Sequence, residues 1–190
     1  MSNFTVINGA QVEPEYLKDI LELDKQVYPE KYWTNIDYIT KWFLKNPNII
    51  TLLYDDKQLA GYFCYLPVKD ESYMDIRKGE IFQDLTIPVE NIREYKEGNI
   101  YNLYFFSIVI DPKYHGTDAL KYLLKGFYDT TVNLRRKGIK FNNFLADVVS
   151  SKGDKLANTL GFTKVHDSAY DSVICENTYS NFISKYEEVF

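Results

Sequence analysis

The sequence predicts an α/β (α+β) domain in which helices pack against a mixed sheet, and three observations predict it. Ile100–Ile110 (IYNLYFFSIVI) is apolar on both alternating faces, as a central strand covered on both sides must be. A helical period follows directly, from about Asp118 to Lys137, with Leu120, Leu123, Leu124, Phe127 and Leu134 as its apolar stripe. Strand and helix periods alternate through the rest of the chain, and such a chain buries its apolar faces by layering helix on sheet.

The elements follow in order. Phe4–Val12 reads as a first strand. Pro14 suits a first helical position, Leu17, Ile20, Leu21 and Val27 continue at helical spacing, and Pro29 ends the run. A second helix begins near Asn35, carries Ile36, Ile39 and Phe43 on one face, and stops at Pro47. Ile49–Tyr54, the polar turn Asp55–Gln58 and Leu59–Leu66 form a hairpin pattern. Residues 68 to about 98 show no clean period and read as a loop with a short helix. Asp111-Pro112 breaks the central strand, and Gly138 stops the long helix. Phe144–Val149 is another buried strand. A short helix starts at Lys152, with Leu156 and Leu160 a turn apart, and Ser151 with Asp154 has capping-box spacing at its start. The tail offers a strand near Asp171–Cys175 and a final helix or strand. With 190 residues and no repeat, linker or low-complexity run, residues 1–190 read as one domain.

Composition narrows the function. Hydrophobic residues make up 45% and charged residues 26%, which is the balance of a globular chain rather than a disordered one. The 17 Tyr and 12 Phe are expected mainly at the margins of the core, rings inward and hydroxyls outward. A net charge of -5 with no basic stripe disfavours a nucleic-acid partner, whose phosphates need Lys and Arg. It is compatible with a cationic acceptor such as an amine. Cys64 and Cys175 read as small buried hydrophobes, and with His115 and His166 far apart no metal site is expected. No basic-then-apolar leader and no membrane-length apolar run is visible, so the expectation is a cytoplasmic protein without membrane association.

The chemistry concentrates at Ile108–Leu124, where a strand turns directly into a long helix. The free amides and positive dipole end of a helix start attract phosphate. This segment resembles the GNAT acetyltransferase superfamily. Pro112-Lys113-Tyr114-His115-Gly116 is similar to that family's Pro-x-Tyr-Arg-Gly segment, and Leu123-Leu124 falls on its paired aliphatics. Downstream, Leu145–Ser151 and Lys155–Phe162 resemble its fifth strand and the helix that closes on Leu-Gly-Phe. The resemblance implies a mostly antiparallel sheet with splayed fourth and fifth strands, and acetyl-CoA as acyl donor. It implies direct attack by a primary amine, carried by a small molecule or a peptide; a homodimer is compatible with it. It assigns donor binding to Ile108, Val109 and Ile110 on the strand, to His115, Gly116, Thr117, Asp118 and Ala119 in the loop, and to Ser150 or Ser151. Ser151 alternatively serves only as a helix cap.

The pattern is not complete. His115 stands for the family's Arg, and Asp118 and Leu120 stand for small residues. A cap by Asp118 or Thr117 would consume the amides that a pyrophosphate needs. The family's tyrosine general acid falls at Ala157; Tyr114, Tyr122, Tyr170 or water would have to substitute. For the general base, Tyr104 and Ser107 on the central strand could hold a water, and Asp84 and Glu80 precede it. The resemblance turns His115 toward the phosphates, away from the base position. Tyr28, Tyr32, Trp33, Tyr38 and Trp42, with residues 68–98, fall where the family builds its acceptor pocket, or else pack as core. Two rival readings stay open: a GNAT-fold ligand- or protein-binding module without catalysis, and a transferase for longer acyl chains.

Overall fold

Most predicted periods become elements. In the computed structural model, which describes residues 3–30, 33, 35–80, 87–168 and 171–190, β1 is Phe4–Asn8 and the chain turns at Gly9–Gln11. Helices α1 (Leu17–Val27) and α2 (Ile36–Lys45) follow, the latter capped by the Asn35 side chain, which accepts from the Asp37 and Tyr38 amides. The hairpin is β2 (Ile50–Asp55) and β3 (Gln58–Val68). The aperiodic stretch contains α3 (Asp70–Arg77) and a 3₁₀ turn at Val89–Asn91. β4 (Ile100–Ile110), α4 (Ala119–Arg136), β5 (Lys140–Val148) and α5 (Ser151–Thr159) come next. β6 (Thr163–Asp167), β7 (Val173–Thr178) and α6 (Tyr179–Val189) end the chain.

Hydrogen bonding orders the strands β1-β2-β3-β4-β5-β7-β6, a seven-stranded sheet flanked, among the described residues, by six α-helices. β1 pairs with β2, β2 with β3, and β7 with both β5 and β6, all antiparallel. β4 and β5 are parallel, in a register from Ile100↔Lys140 to Phe105↔Ala146.

The chain divides into two compact units. Met1–Tyr65 and Ser107–Leu134 form the first, Leu66–Phe106 and Arg135–Phe190 the second. In the first, α1 buries Leu17, Ile20 and Leu23, and α2 buries Ile39, Trp42 and Phe43. Phe127 of α4 meets Phe63 and Tyr65 of β3, with ring centroids 4.9 and 4.6 Å apart. Burying each such ring stabilises the fold by about 1.5–3 kcal/mol. In the second, Phe144 packs on Phe105, Tyr179 and Phe182, and Phe162 joins through Phe105 and Phe182. Cys64 and Cys175 are buried free thiols.

Several boundaries differ from the sequence reading for physical reasons. β1 ends at Asn8 rather than Val12. On α1, Leu21 and Val27 are half-buried, while Leu23 and Asp24 occupy the buried face. Leu120 is likewise only half-buried, and Ala119 takes its place in the stripe of α4. β6 has an exposed edge position with no buried residue, so no apolar alternation marks it in the sequence.

Candidate functional site

In the first unit, the end of β4 is tied off before α4 begins. The Asp111 carboxylate accepts from the Lys113 amide at 2.9 Å and from Gln58 Nε2 at 3.2 Å, and its carbonyl accepts from the Tyr114 amide at 2.8 Å. Pro112–Tyr114 form a single 3₁₀ turn. His115 Nε2 lies 3.1 Å from the Ile110 carbonyl. A carbonyl only accepts, so this contact requires the proton on Nε2 and fixes the tautomer. The imidazole is thereby folded onto the strand end.

The cap of α4 is Thr117, not Asp118. Thr117 Oγ1 accepts from the Ala119 amide at 3.2 Å and donates to the Tyr114 carbonyl at 2.7 Å. The Asp118 carbonyl accepts from the Tyr122 amide, and no hydrogen bond engages its exposed carboxylate among the described residues. The internal bonds of this corner thus claim the amides of Lys113, Tyr114, His115, Thr117, Ala119 and Tyr122. Those of Gly116, Asp118, Leu120 and Lys121 find no acceptor among the described residues. Gly116 has φ +79° and open space where a Cβ would stand, so the glycine is there for its backbone conformation. Unclaimed amides at a helix start are the donor set that a phosphate group uses. The Asp118 carboxylate opposes an anion in the same place, but it does not close the corner.

β4 leads into that corner with partly open residues. Ser107, Ile108 and Ile110 are half-buried, and Val109 is buried. Gly61 of β3 is pressed against this segment: an added Cβ would lie 2.6 Å from the Val109 carbonyl oxygen. Beside it, Ser107 Oγ is 3.0 Å from Tyr62 Oη, and Tyr62 donates to Asp24 Oδ1 at 2.5 Å. Asp24 has no exposed surface. Burial, and then the Asp24 carboxylate, hold the Tyr62 phenol well above its ordinary pKa, so it stays a proton donor.

Asp24 escaped the sequence reading although a signal existed. Leu17, Ile20 and Asp24 share one helical face, and a carboxylate at a stripe position needs a buried partner. The partner, Tyr62, sits in a β3 run that reads simply as apolar.

The other candidates fall in both units. Tyr104 is buried in the second unit, and its position on β4 differs from that of Ser107 by an odd number, so the two side chains leave opposite faces. Ser150, not Ser151, caps α5: its Oγ accepts from the Gly153 amide at 3.1 Å, and Ser151 is the first helical residue. Ala157 is buried on the same helix. Glu80 is exposed. Asp84, Tyr170 and Tyr32 lie outside the described residues. Tyr114 and Tyr122 both pack their rings on Phe4 of β1, and the Tyr114 hydroxyl is buried without a hydrogen-bond partner among the described residues. Of the aromatics near α2, Trp42 is core; Trp33 Nε1 donates to the Tyr28 carbonyl at 2.9 Å, and Tyr38 is exposed.

This architecture, with its parallel β4–β5 pair and a helix springing from the end of β4, is the GNAT fold. Among solved structures, the chain is similar to the GphF GNAT-like decarboxylase in complex with isobutyryl-CoA, with a TM-score of 0.65, 12% identity, and coverage of 92% of this chain and 98% of that one. It is similar to the loading GNATL domain of CurA from Lyngbya majuscula (TM-score 0.64, 10% identity, 92% and 97% covered). It is also similar to Arabidopsis thaliana Naa50 in complex with the bisubstrate analogue CoA-Ac-MVNAL (TM-score 0.59, 13% identity, 93% and 99% covered). No protein-family model and no curated protein matches the sequence.

Proposed function

We propose that the chain is an acyl-CoA-dependent N-acyltransferase that moves an acetyl group onto a primary amine by direct attack. The observation that carries this is the corner between β4 and α4, where the amides of Gly116, Asp118, Leu120 and Lys121 stand unclaimed beneath an open glycine. The CoA ligands named for two of the similar structures support the same reading.

In this reading the four amides, with the dipole of α4 behind them, hold the donor's pyrophosphate. His115, its Nε2–H engaged on Ile110, fixes the shape of the loop rather than the charge of the ligand. The stretch Ser107–Ile110, half-buried except at Val109, lies along the pantetheine arm. The donor supplies a thioester acyl group already activated for attack. A main-chain N–H near Val109 or Ile110 steadies negative charge on the acyl oxygen. With alanine at position 157, water protonates the departing thiolate, which is a tolerable leaving group because its thiol pKa is about 8.5. The two buried free thiols suit a reducing compartment, and we assign the protein to the cytoplasm.

Ala157 and the exposed Asp118 carboxylate favour a second reading, a GNAT-fold binding module without turnover. Titration calorimetry tests the first reading. The chain should bind acetyl-CoA with heat at micromolar concentrations, and Asp118→Asn should tighten binding because it removes a like charge from the phosphate corner. No heat at millimolar acetyl-CoA would sink the transferase.

A further inference from the structure

We propose that Ser107, Tyr62 and Asp24 form a proton relay that takes the proton from the attacking amine and delivers it to a carboxylate buried in α1. The proposal rests on the acyltransferase reading and deepens it, since that reading names no base.

The direction of the relay follows from donor counting. An ionised Asp24 only accepts, so the Tyr62 hydroxyl must donate to it, across 2.5 Å. Having spent its one proton, Tyr62 Oη can only accept from Ser107, across 3.0 Å. Ser107 in turn spends its proton inward and turns a lone pair outward. Of the three residues, Asp24 and Tyr62 have no exposed surface, and Ser107 alone is half-buried. The relay therefore opens at Ser107, on the stretch of β4 that leads to the phosphate corner. It runs entirely inside the first unit.

The step balances. One N–H bond of the ammonium acceptor breaks and its proton joins Ser107 Oγ. The Ser107 hydroxyl proton passes to Tyr62 Oη, and the Tyr62 phenolic proton passes to Asp24 Oδ1. An O–H bond on Asp24 replaces the N–H bond on the amine, whose freed lone pair attacks the thioester. Nothing is oxidised or reduced, and the return path through Ser107 to water resets the carboxylate. Ser107 is the catalytic residue; Tyr62 and Asp24 act through it as positioning residues.

The test uses steady-state thiol release from acetyl-CoA, with an arylalkylamine, a polyamine and a tetrapeptide with a free N-terminus as acceptors. Asp24→Asn, Tyr62→Phe and Ser107→Ala should each lower kcat by about 100-fold or more while the KM for acetyl-CoA stays put. The double variant Asp24→Asn/Tyr62→Phe should be no slower than either single one, because members of one relay fail together. A structural role alone would instead lower melting temperature and give losses that multiply. Should the buried Asp24→Asn chain not fold, Ser107→Ala at the half-buried end decides. Wild-type kcat in a folded variant or multiplying losses in the double variant overturns the relay alone. A wild type that binds acetyl-CoA yet acetylates none of the three amines behaves as the binding module without turnover, and it overturns the transferase reading and the relay with it. A wild type that binds no acetyl-CoA overturns the transferase reading, and the relay with it.

Discussion

Asp147 near the end of β5 shows how a single carboxylate can work against the fold that holds it. Among the described residues its Oδ1 is buried without a hydrogen-bond partner, and burial pushes its pKa up from the ordinary carboxylate value. Ser172 lies near enough to offset part of that rise, but its buried Oγ also completes no hydrogen bond. A raised native pKa means that the folded state holds the proton more tightly than the unfolded state. Stability is therefore unaffected by Asp147 well below its unfolded pKa of about 3.9, falls as pH rises from there to the raised native value, and carries the full penalty above it. Asp147→Asn should remove the penalty and raise the melting temperature at pH 7 by roughly 2–4 °C, equivalent to about 1 kcal/mol. The gain should shrink as the same melts are repeated toward pH 4. An equal gain at every pH would mean that ionisation is not its cause.

The contact between β3 and β4 decides whether the candidate site keeps its shape. Gly61 is the only residue type that lets β3 approach the Val109 carbonyl and Ile110 as it does, since a Cβ would come within 2.6 Å of backbone oxygen and 2.7 Å of Ile110 Cδ1. Backbone cannot rotate away as a side-chain tip can. Gly61→Ala should therefore displace the end of β4 and destabilise the chain by about 1–3 kcal/mol. It should weaken acetyl-CoA binding in calorimetry more than a core substitution of equal stability effect on α2. The central strand and the long helix were legible in the sequence because their periods are long and their stops, Pro112 and Gly138, are unambiguous. The corner between them was legible as a place but not as a hydrogen-bond pattern. Whether Thr117 or Asp118 claims the amides depends on a turn geometry that both residues permit. The same ambiguity hid Ser150 behind Ser151. The Asp24–Tyr62–Ser107 chain was hidden further, because it joins three elements that only the folded sheet brings together.

At the scale of the whole molecule, a ligand that binds only the native state stabilises it in proportion to how far it saturates the site. For acetyl-CoA at one hundred times its dissociation constant the gain is about 2.7 kcal/mol. In a chain of this size that raises the melting temperature by roughly 5–10 °C. Under the proposed function the corner at Gly116–Lys121 meets the pyrophosphate and not the acyl group, so free CoA, which carries the same pyrophosphate, should give most of this shift. The acyl end is where the rival readings part. If the chain is an acetyltransferase, acetyl-CoA should shift the melt at least as far as isobutyryl-CoA at equal concentration, because extra methyl groups need room that a pocket sized for acetyl lacks. A larger shift with isobutyryl-CoA would assign the longer acyl donor. The α4 dipole and its amides contribute in both cases, so raising salt should reduce every shift together and leave their order unchanged.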